Sequence, residues 1–236
     1  MADPLVLLPG LMSDARVFWP QIAELSGKTA VTVGPITQGE RIEEIASGLL
    51  DQLPKRFALA GLGLGGAVAL EILRRAPDRL TRLALIDASP LAETPQSAAA
   101  REMLIVKVKS GRLADAMREE LNSVWLAPGP DRAAILEIAL DMADTLGPEV
   151  YVRQARALQR ARDQQAVLRK CKVPTLVMCG EVGRLNPVKR HSFMAELLPY
   201  AILRVIEGAG HLPTLEQPEA TTAAIKEWLK MPLTPA

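Results

Sequence analysis

The sequence predicts an α/β fold: a mostly parallel central sheet flanked by helices, with an all-helical insertion. Three observations predict it. Short apolar runs recur along the chain, each closed by a turn signal and usually followed by apolar residues at helical spacing. Strands that alternate with helices in this way build parallel sheets covered on both faces. The rhythm breaks between about residues 91 and 171, where Ala, Leu, Glu and Arg recur at helical spacing, punctuated by Pro and Gly. A length of 236 residues suits one such domain with an insertion. Hydrophobic residues make up 49% of the chain but aromatics only 3%, so the core must be built from Leu, Ala, Val and Ile.

The elements follow in order. PLVLLPG (4–10) reads as a buried strand closed by Pro-Gly, and TAVTVGP (29–35) as a β-branched strand. RIEEIASGLLDQL (41–53) carries a helical apolar face. RFALAG (56–61) is a strand, and AVALEILRRAP (67–77) a helix stopped by Pro77. RLALIDAS (82–89), TLVMCG (175–180) and AILRVIEG (201–208) are further strands. HSFMAELL is a helix that begins at His191, read as a surface residue. PEATTAAIKEWLK (218–230) is the last helix, with Pro218 in its first turn. Within the insertion, SAAAREMLIVKVKSG, RLADAMREELNSVWL, DRAAILEIALDMADTLG and PEVYVRQARALQRARD predict four or so helices; LIVKVK alone is equally compatible with a strand.

Composition narrows the function classes. Lys and Arg total 28 against 27 Asp and Glu, a net charge of +1, which favours neither nucleic acid nor an anionic membrane as partner. Two cysteines, Cys171 and Cys179, do not make a disulfide framework, and Cys179 inside TLVMCG reads as a buried thiol. With only His191 and His211 beside them, no metal-ligand spacing arises, so neither a metal nor another cofactor is expected. No run approaches the roughly 18 apolar residues of a membrane span. MADPLVLLPG lacks a basic leader region, so the expectation is a soluble cytoplasmic protein.

LAGLGLGGAVAL (59–70) is the informative stretch, and it has two readings. Gly61, Gly63 and Gly66 spell G-x-G-x-x-G between a strand and a helix, and Asp87 lies 21 residues after Gly66, where a dinucleotide site wants its ribose acid. The same residues also spell a nucleophile elbow, G-x-S-x-G, with Gly63 where the serine would stand. The first reading leaves the rest of the chain unexplained. The second connects to LLPGLMSDARVFWPQ (7–21), to the helical insertion after RLALIDASP, and to VPTLVMCGEVGRLNPV (173–188) with LRVIEGAGHLPTLEQPEA (203–220).

On these motifs the chain resembles the α/β-hydrolase superfamily over nearly its whole length, with the His loop G-A-G-H-x-P-x-x-E-x-P-E the most specific part. The resemblance implies an α/β-hydrolase core from 1–90 and 172–236, with a helical cap over 91–171. It implies Gly63 at the nucleophile position and His211 as the catalytic histidine. The family pattern G-x-x-D-x-x-x-P puts Gly183 at the acid position; Glu181 lies two residues early. Asp87 reads as a turn or cap residue, or as an acid drawn from an earlier strand. The backbone N–H groups of Leu11 and Leu64 would form the oxyanion hole, and Met12, Leu62, Trp125 and Leu212 would line an apolar pocket for a small ester or acyl ligand.

With glycine at both the nucleophile and acid positions, a carboxylic-ester hydrolase of this kind is expected to be inactive or strongly impaired as a serine hydrolase, because no acyl-enzyme can form at Gly63. Two alternatives accompany this reading: an enzyme that uses His211 as a base without covalent catalysis, in lyase or cofactor-free chemistry, or a ligand-binding pseudoenzyme. Dinucleotide binding at Gly61–Gly66 stands outside both.

Overall fold

The computed structural model describes residues 3–121 and 125–233. Six strands form one sheet in the order β2-β1-β3-β4-β5-β6, and every neighbouring pair is parallel. They are β1 (Leu5–Leu8), β2 (Val31–Val33), β3 (Phe57–Leu62), β4 (Leu80–Ile86), β5 (Thr175–Gly180) and β6 (Ala201–Ile206). Four of them, β1, β3, β4 and β5, are buried along their whole length, as expected of central strands covered on both faces.

Alternate residues feed two separate cores, because successive side chains of a strand point to opposite faces. Leu5, Leu7, Ala58, Ala60, Leu62, Ala84 and Ile86 face one core; Val6, Leu8, Phe57, Leu59, Leu83 and Leu85 face the other. The first face is covered by α1 (Trp19–Leu25) and α11 (Pro218–Leu229), with Trp228 wholly buried. The second is covered by α2 (Ile42–Leu50), α3 (Leu64–Arg75) and α9 (Val188–Leu197). A short helix, α10 (Pro213–Glu216), precedes α11.

Among its described residues, the stretch between β4 and β5 carries five helices and no strand: α4 (Pro95–Lys109), α5 (Leu113–Glu120), α6 (Arg132–Leu146), α7 (Pro148–Gln159) and α8 (Gln165–Arg169). The ambiguous LIVKVK lies inside α4. Thr94 caps that helix by accepting the Ser97 N–H at 3.1 Å, and Pro95 occupies its first turn, so capping settles what periodicity left open. Residues 122–124 of the segment RLADAMREELNSVWL lie outside the described residues. Among the described residues, no helix is long and apolar enough to cross a membrane.

One topological fact positions the site. From β1 the chain runs out to the edge strand β2 and then returns to the other side of β1 as β3. The loops leaving the carboxyl ends of β1 and β3 therefore diverge, and open parallel sheets bind ligands in that crevice.

Candidate active site

The turn from β3 to α3 is a single residue, Gly63, at φ +51°, ψ −113°. A positive φ costs an L-residue energy that glycine avoids. The turn is also tight. A Cβ on Gly65 would lie 2.3 Å from the carbonyl oxygen of Leu8, so α3 starts against the end of β1 and only glycine permits it. The Gly63 N–H donates to Ile86 O at 2.9 Å, which ties the turn to β4.

A Cβ built on Gly63 would point at His211, 3.8 Å from Nε2 and 3.6 Å from Cε1, with no clash. His211 lies in the loop after β6. Its N–H donates to Trp125 O at 2.7 Å, and the Trp125 ring meets the imidazole edge-on at 5.5 Å between centroids. Three backbone N–H groups hold this loop through one carboxylate: Glu216 accepts from Leu212 at 2.8 Å, from Gly210 at 2.9 Å and from Ala127 at 2.6 Å. One side chain on α10 thus fixes the histidine loop and joins it to the helical segment above.

The other imidazole nitrogen meets a carboxylate. Nδ1 of His211 stands 3.0 Å from Oδ1 of Asp87, the residue that follows β4. An ionised carboxylate only accepts, so Nδ1–H donates and Nε2 keeps its lone pair toward Gly63. Asp87 is wholly buried and sits at φ +42°, an uncommon backbone for a non-glycine residue, though Asp tolerates it better than most. Asn186 donates from Nδ2 to both the backbone carbonyl and Oδ1 of Asp87, each at 2.9 Å. Burial pushes the His211 imidazole down, but the charge and hydrogen bond of Asp87 outweigh it, with Glu216 and Glu120 adding to the same side. Its pKa therefore lies above the ordinary histidine value.

Gly183 stands beside this pair. A Cβ on it would lie 3.4 Å from Oδ2 of Asp87, so the loop position expected for the acid borders a carboxylate that arrives from β4 instead. Glu181 turns away and accepts the Gly208 N–H at 3.1 Å. Asp87 is also unavailable to a ribose, which removes the acid that the dinucleotide reading needed.

Below the helical segment lies a narrow cleft with a cavity volume of about 20 Å³, lined by Leu11, Met12, Trp125, His211 and Leu212 from the loops and by Met117, Glu120, Leu121 and Ala139 from the helices. Leu62 does not line it. It is wholly buried in the sheet core, behind Gly10, because it is the last pleated residue of β3 and faces into the first core. Leu64 opens α3, so its N–H has no acceptor within the helix. Leu11 is in the loop after β1. The next residue, Met12, is held at φ +50° by Gln154 of α7, whose Oε1 accepts the Met12 N–H at 2.8 Å while its Nε2 donates to Ile36 O at 3.0 Å.

His191 corrects the surface assignment. It is fully buried on α9, and burial lowers its pKa against the opposing pull of Asp87. Cys179 is buried as expected, and burial, reinforced by the Asp87 charge, pushes its thiol up to about 12, which leaves it a poor nucleophile.

The profile of the Alpha/beta hydrolase family matches residues 5–225. The chain belongs to this family. Among its relatives is a pimeloyl-[acyl-carrier protein] methyl ester esterase of Aromatoleum aromaticum, 29% identical over 94% of this chain and 90% of that protein. Another is a putative carbamate hydrolase, RutD, of Yersinia enterocolitica, 25% identical over 98% of this chain and 88% of that protein. The crystallised thermophilic esterase of Thermogutta terrifontis superposes with a TM-score of 0.88 at 27% identity, covering 98% of this chain and 90% of that one. This chain is thus an alpha/beta hydrolase with esterase-like homologues. Within that frame, Asn186, Gln154 and Glu216 are the supporting residues that sequence reading had not singled out. Glu216 alone carried a signal, as the Glu of the His-loop motif.

Proposed function

We propose that this chain is an esterase-type alpha/beta hydrolase that binds small apolar acyl esters but lacks covalent catalysis, with Gly63 at the nucleophile position and His211 and Asp87 as base and orienting acid. The observation that carries this reading is the direction of Gly63: a side chain there would point at Nε2 of His211, 3.8 Å from the Cβ position, while Nδ1 is held by Asp87 at 3.0 Å. The base is in place for a hydroxyl that glycine does not supply. The apolar lining of the cleft beside it suits a small acyl group, and the oxyanion-hole role falls to the N–H groups of Leu11, which lines the cleft, and Leu64, which opens α3. The helices between β4 and β5 act as its cap.

Loss of the serine from a triad removes about 10⁶ in turnover, and a residue of roughly 10³–10⁴ over water survives through the oxyanion hole and binding. Hydrolysis by this chain is therefore slow, and ester binding is the property retained. A second reading, in which His211 acts as a general base without a covalent intermediate, is favoured by the same Asp87 contact, since an oriented histidine can still take a proton.

The experiment is hydrolysis of p-nitrophenyl butyrate by the chain and by Gly63→Ser. The single substitution is expected to raise turnover by roughly 10⁴ or more. A folded Gly63→Ser protein no faster than its parent would overturn the reading. Parent turnover that disappears in His211→Ala supports the non-covalent base.

A further inference from the structure

The cleft beside His211 is lined mostly by apolar side chains, with Ser13 and His211 on the loop side. On the helix wall α5 presents Glu120, buried, with its carboxylate held from behind. Oε2 accepts the Tyr151 hydroxyl at 2.8 Å, and Oε1 accepts the Arg101 guanidinium at 3.0 Å. Arg101 is divided, because it also holds Glu93 at 2.6 Å. Two carboxylates thus share one guanidinium inside the cap, and of the two only Glu120 lines the cleft.

The direction of every donor on this wall matters. The Tyr151 hydroxyl is spent on Glu120, and Arg101 on Glu120 and Glu93. The Ser13 hydroxyl donates to Leu11 O at 3.2 Å. Among the described residues, no Lys or Arg lines the cleft. The Glu120 oxygens each keep a further lone pair beyond the donor they already accept. Toward a ligand this wall therefore offers acceptors and negative charge. A ligand that fills the cleft also expels water, so a second carboxylate brought near Glu120 meets repulsion in a low dielectric, whereas an ammonium or hydroxyl finds a ready acceptor.

We propose that Glu120 determines the acyl-tail specificity of the cleft, selecting esters whose tail ends in an ammonium or another hydrogen-bond donor and rejecting tails that end in a carboxylate. The inference rests on the ester-binding reading above. Arg101 acts as a positioning residue that keeps the Glu120 carboxylate at the wall, while Tyr151 occupies one of its lone pairs.

The test is binding to the unaltered chain, which turns over too slowly to consume the probes. Calorimetric titration with methyl hexanoate, methyl 6-aminohexanoate and monomethyl adipate compares tails of similar length. The amino ester is expected to bind at least about tenfold more tightly than the adipate monoester. In Glu120→Gln that gap should narrow to about threefold or less. Tyr151→Phe, which frees a Glu120 lone pair, should widen it. Equal binding of the amino and adipate esters by the unaltered chain overturns the proposal, as does an unchanged gap in a folded Glu120→Gln. Should Glu120→Gln fail to fold, a gap that does not widen in Tyr151→Phe overturns it. If methyl hexanoate itself does not bind, the ester-binding reading falls and takes this one with it.

Discussion

The carboxylate of Asp87, at the end of β4, accepts a hydrogen bond from Nδ1 of His211, in the loop after β6, at 3.0 Å and across 124 positions of sequence. Their strands, β4 and β6, flank β5, so the sheet order itself brings the two residues together over the carboxyl end of β5. The pair orients the imidazole so that Nε2 faces the turn at Gly63.

Asp87→Asn tests this pairing on two readouts. In a Gly63→Ser background it should lower ester turnover by roughly 10⁴, since an amide at that place favours the wrong imidazole tautomer. The second readout is the pH dependence of stability. The His211 pKa is raised in the folded chain, so its contribution is fully present below the unfolded value of about 6.5 and is lost as pH rises through the folded value. Without the carboxylate, burial dominates and the imidazole pKa falls. Asp87→Asn should therefore destabilise the chain more below about pH 6 than in mildly alkaline buffer, as read by thermal melts across pH. An equal loss at both ends would contradict the assignment.

Gly183→Asp should harm the protein, although the hydrolase motif places an acid there. Its Cβ would stand 3.4 Å from Oδ2 of Asp87, so a carboxylate would be forced against another in a buried site. A loss of about 1–3 kcal/mol at neutral pH is expected, easing as pH falls and one of the two carboxyls takes up a proton. Gly183→Ser, of similar bulk but uncharged, should melt close to the parent. Chemical denaturation of both variants separates charge from bulk. An Asp variant as stable as the Ser variant would count against Asp87 as the resident acid.

Glu216 should matter more than a partly exposed glutamate usually does. Its carboxylate collects the N–H groups of Gly210, Leu212 and Ala127. Glu216→Ala leaves three donors unpaired and should cost on the order of 3 kcal/mol. It should also lower turnover in the Gly63→Ser background by loosening the His211 loop. Glu216→Gln keeps one acceptor oxygen and should fall between the two. Hydrogen exchange at residues 208–212 should accelerate in the Ala variant; unchanged exchange there would refute the bracing role.

The legible parts were those written in neighbouring residues. Alternating apolar runs and helical faces announced a parallel sheet, because strand and helix periods are local properties of the chain. The glycines around Gly63 and the loop around His211 were legible for the same reason: each is one turn whose backbone constraints fall on consecutive residues. Even so, the exposure of His191 was misjudged from sequence. Its placement on α9 follows from a local pattern, but its burial depends on which face of that helix the sheet covers. Leu62 was misplaced in a similar way. Whether the last residue of β3 faces the cleft or the core turns on one step of the pleat, and it faces the core.

The sequence by itself determined that this chain builds an α/β sheet, turns sharply at Gly63 and carries a histidine loop at 208–213, since local spacing and backbone sterics suffice for each. Only the tertiary structure decided which acid meets His211, which carboxylate braces its loop and which charge lines the cleft. Asp87 reaches His211 from a strand 124 positions away, Gln154 holds Met12 from 142 positions away, and Glu216 joins residues 89 apart. Such contacts are specified by strand order and by the packing of α5 and α7 over the sheet, and no window of neighbouring residues contains them.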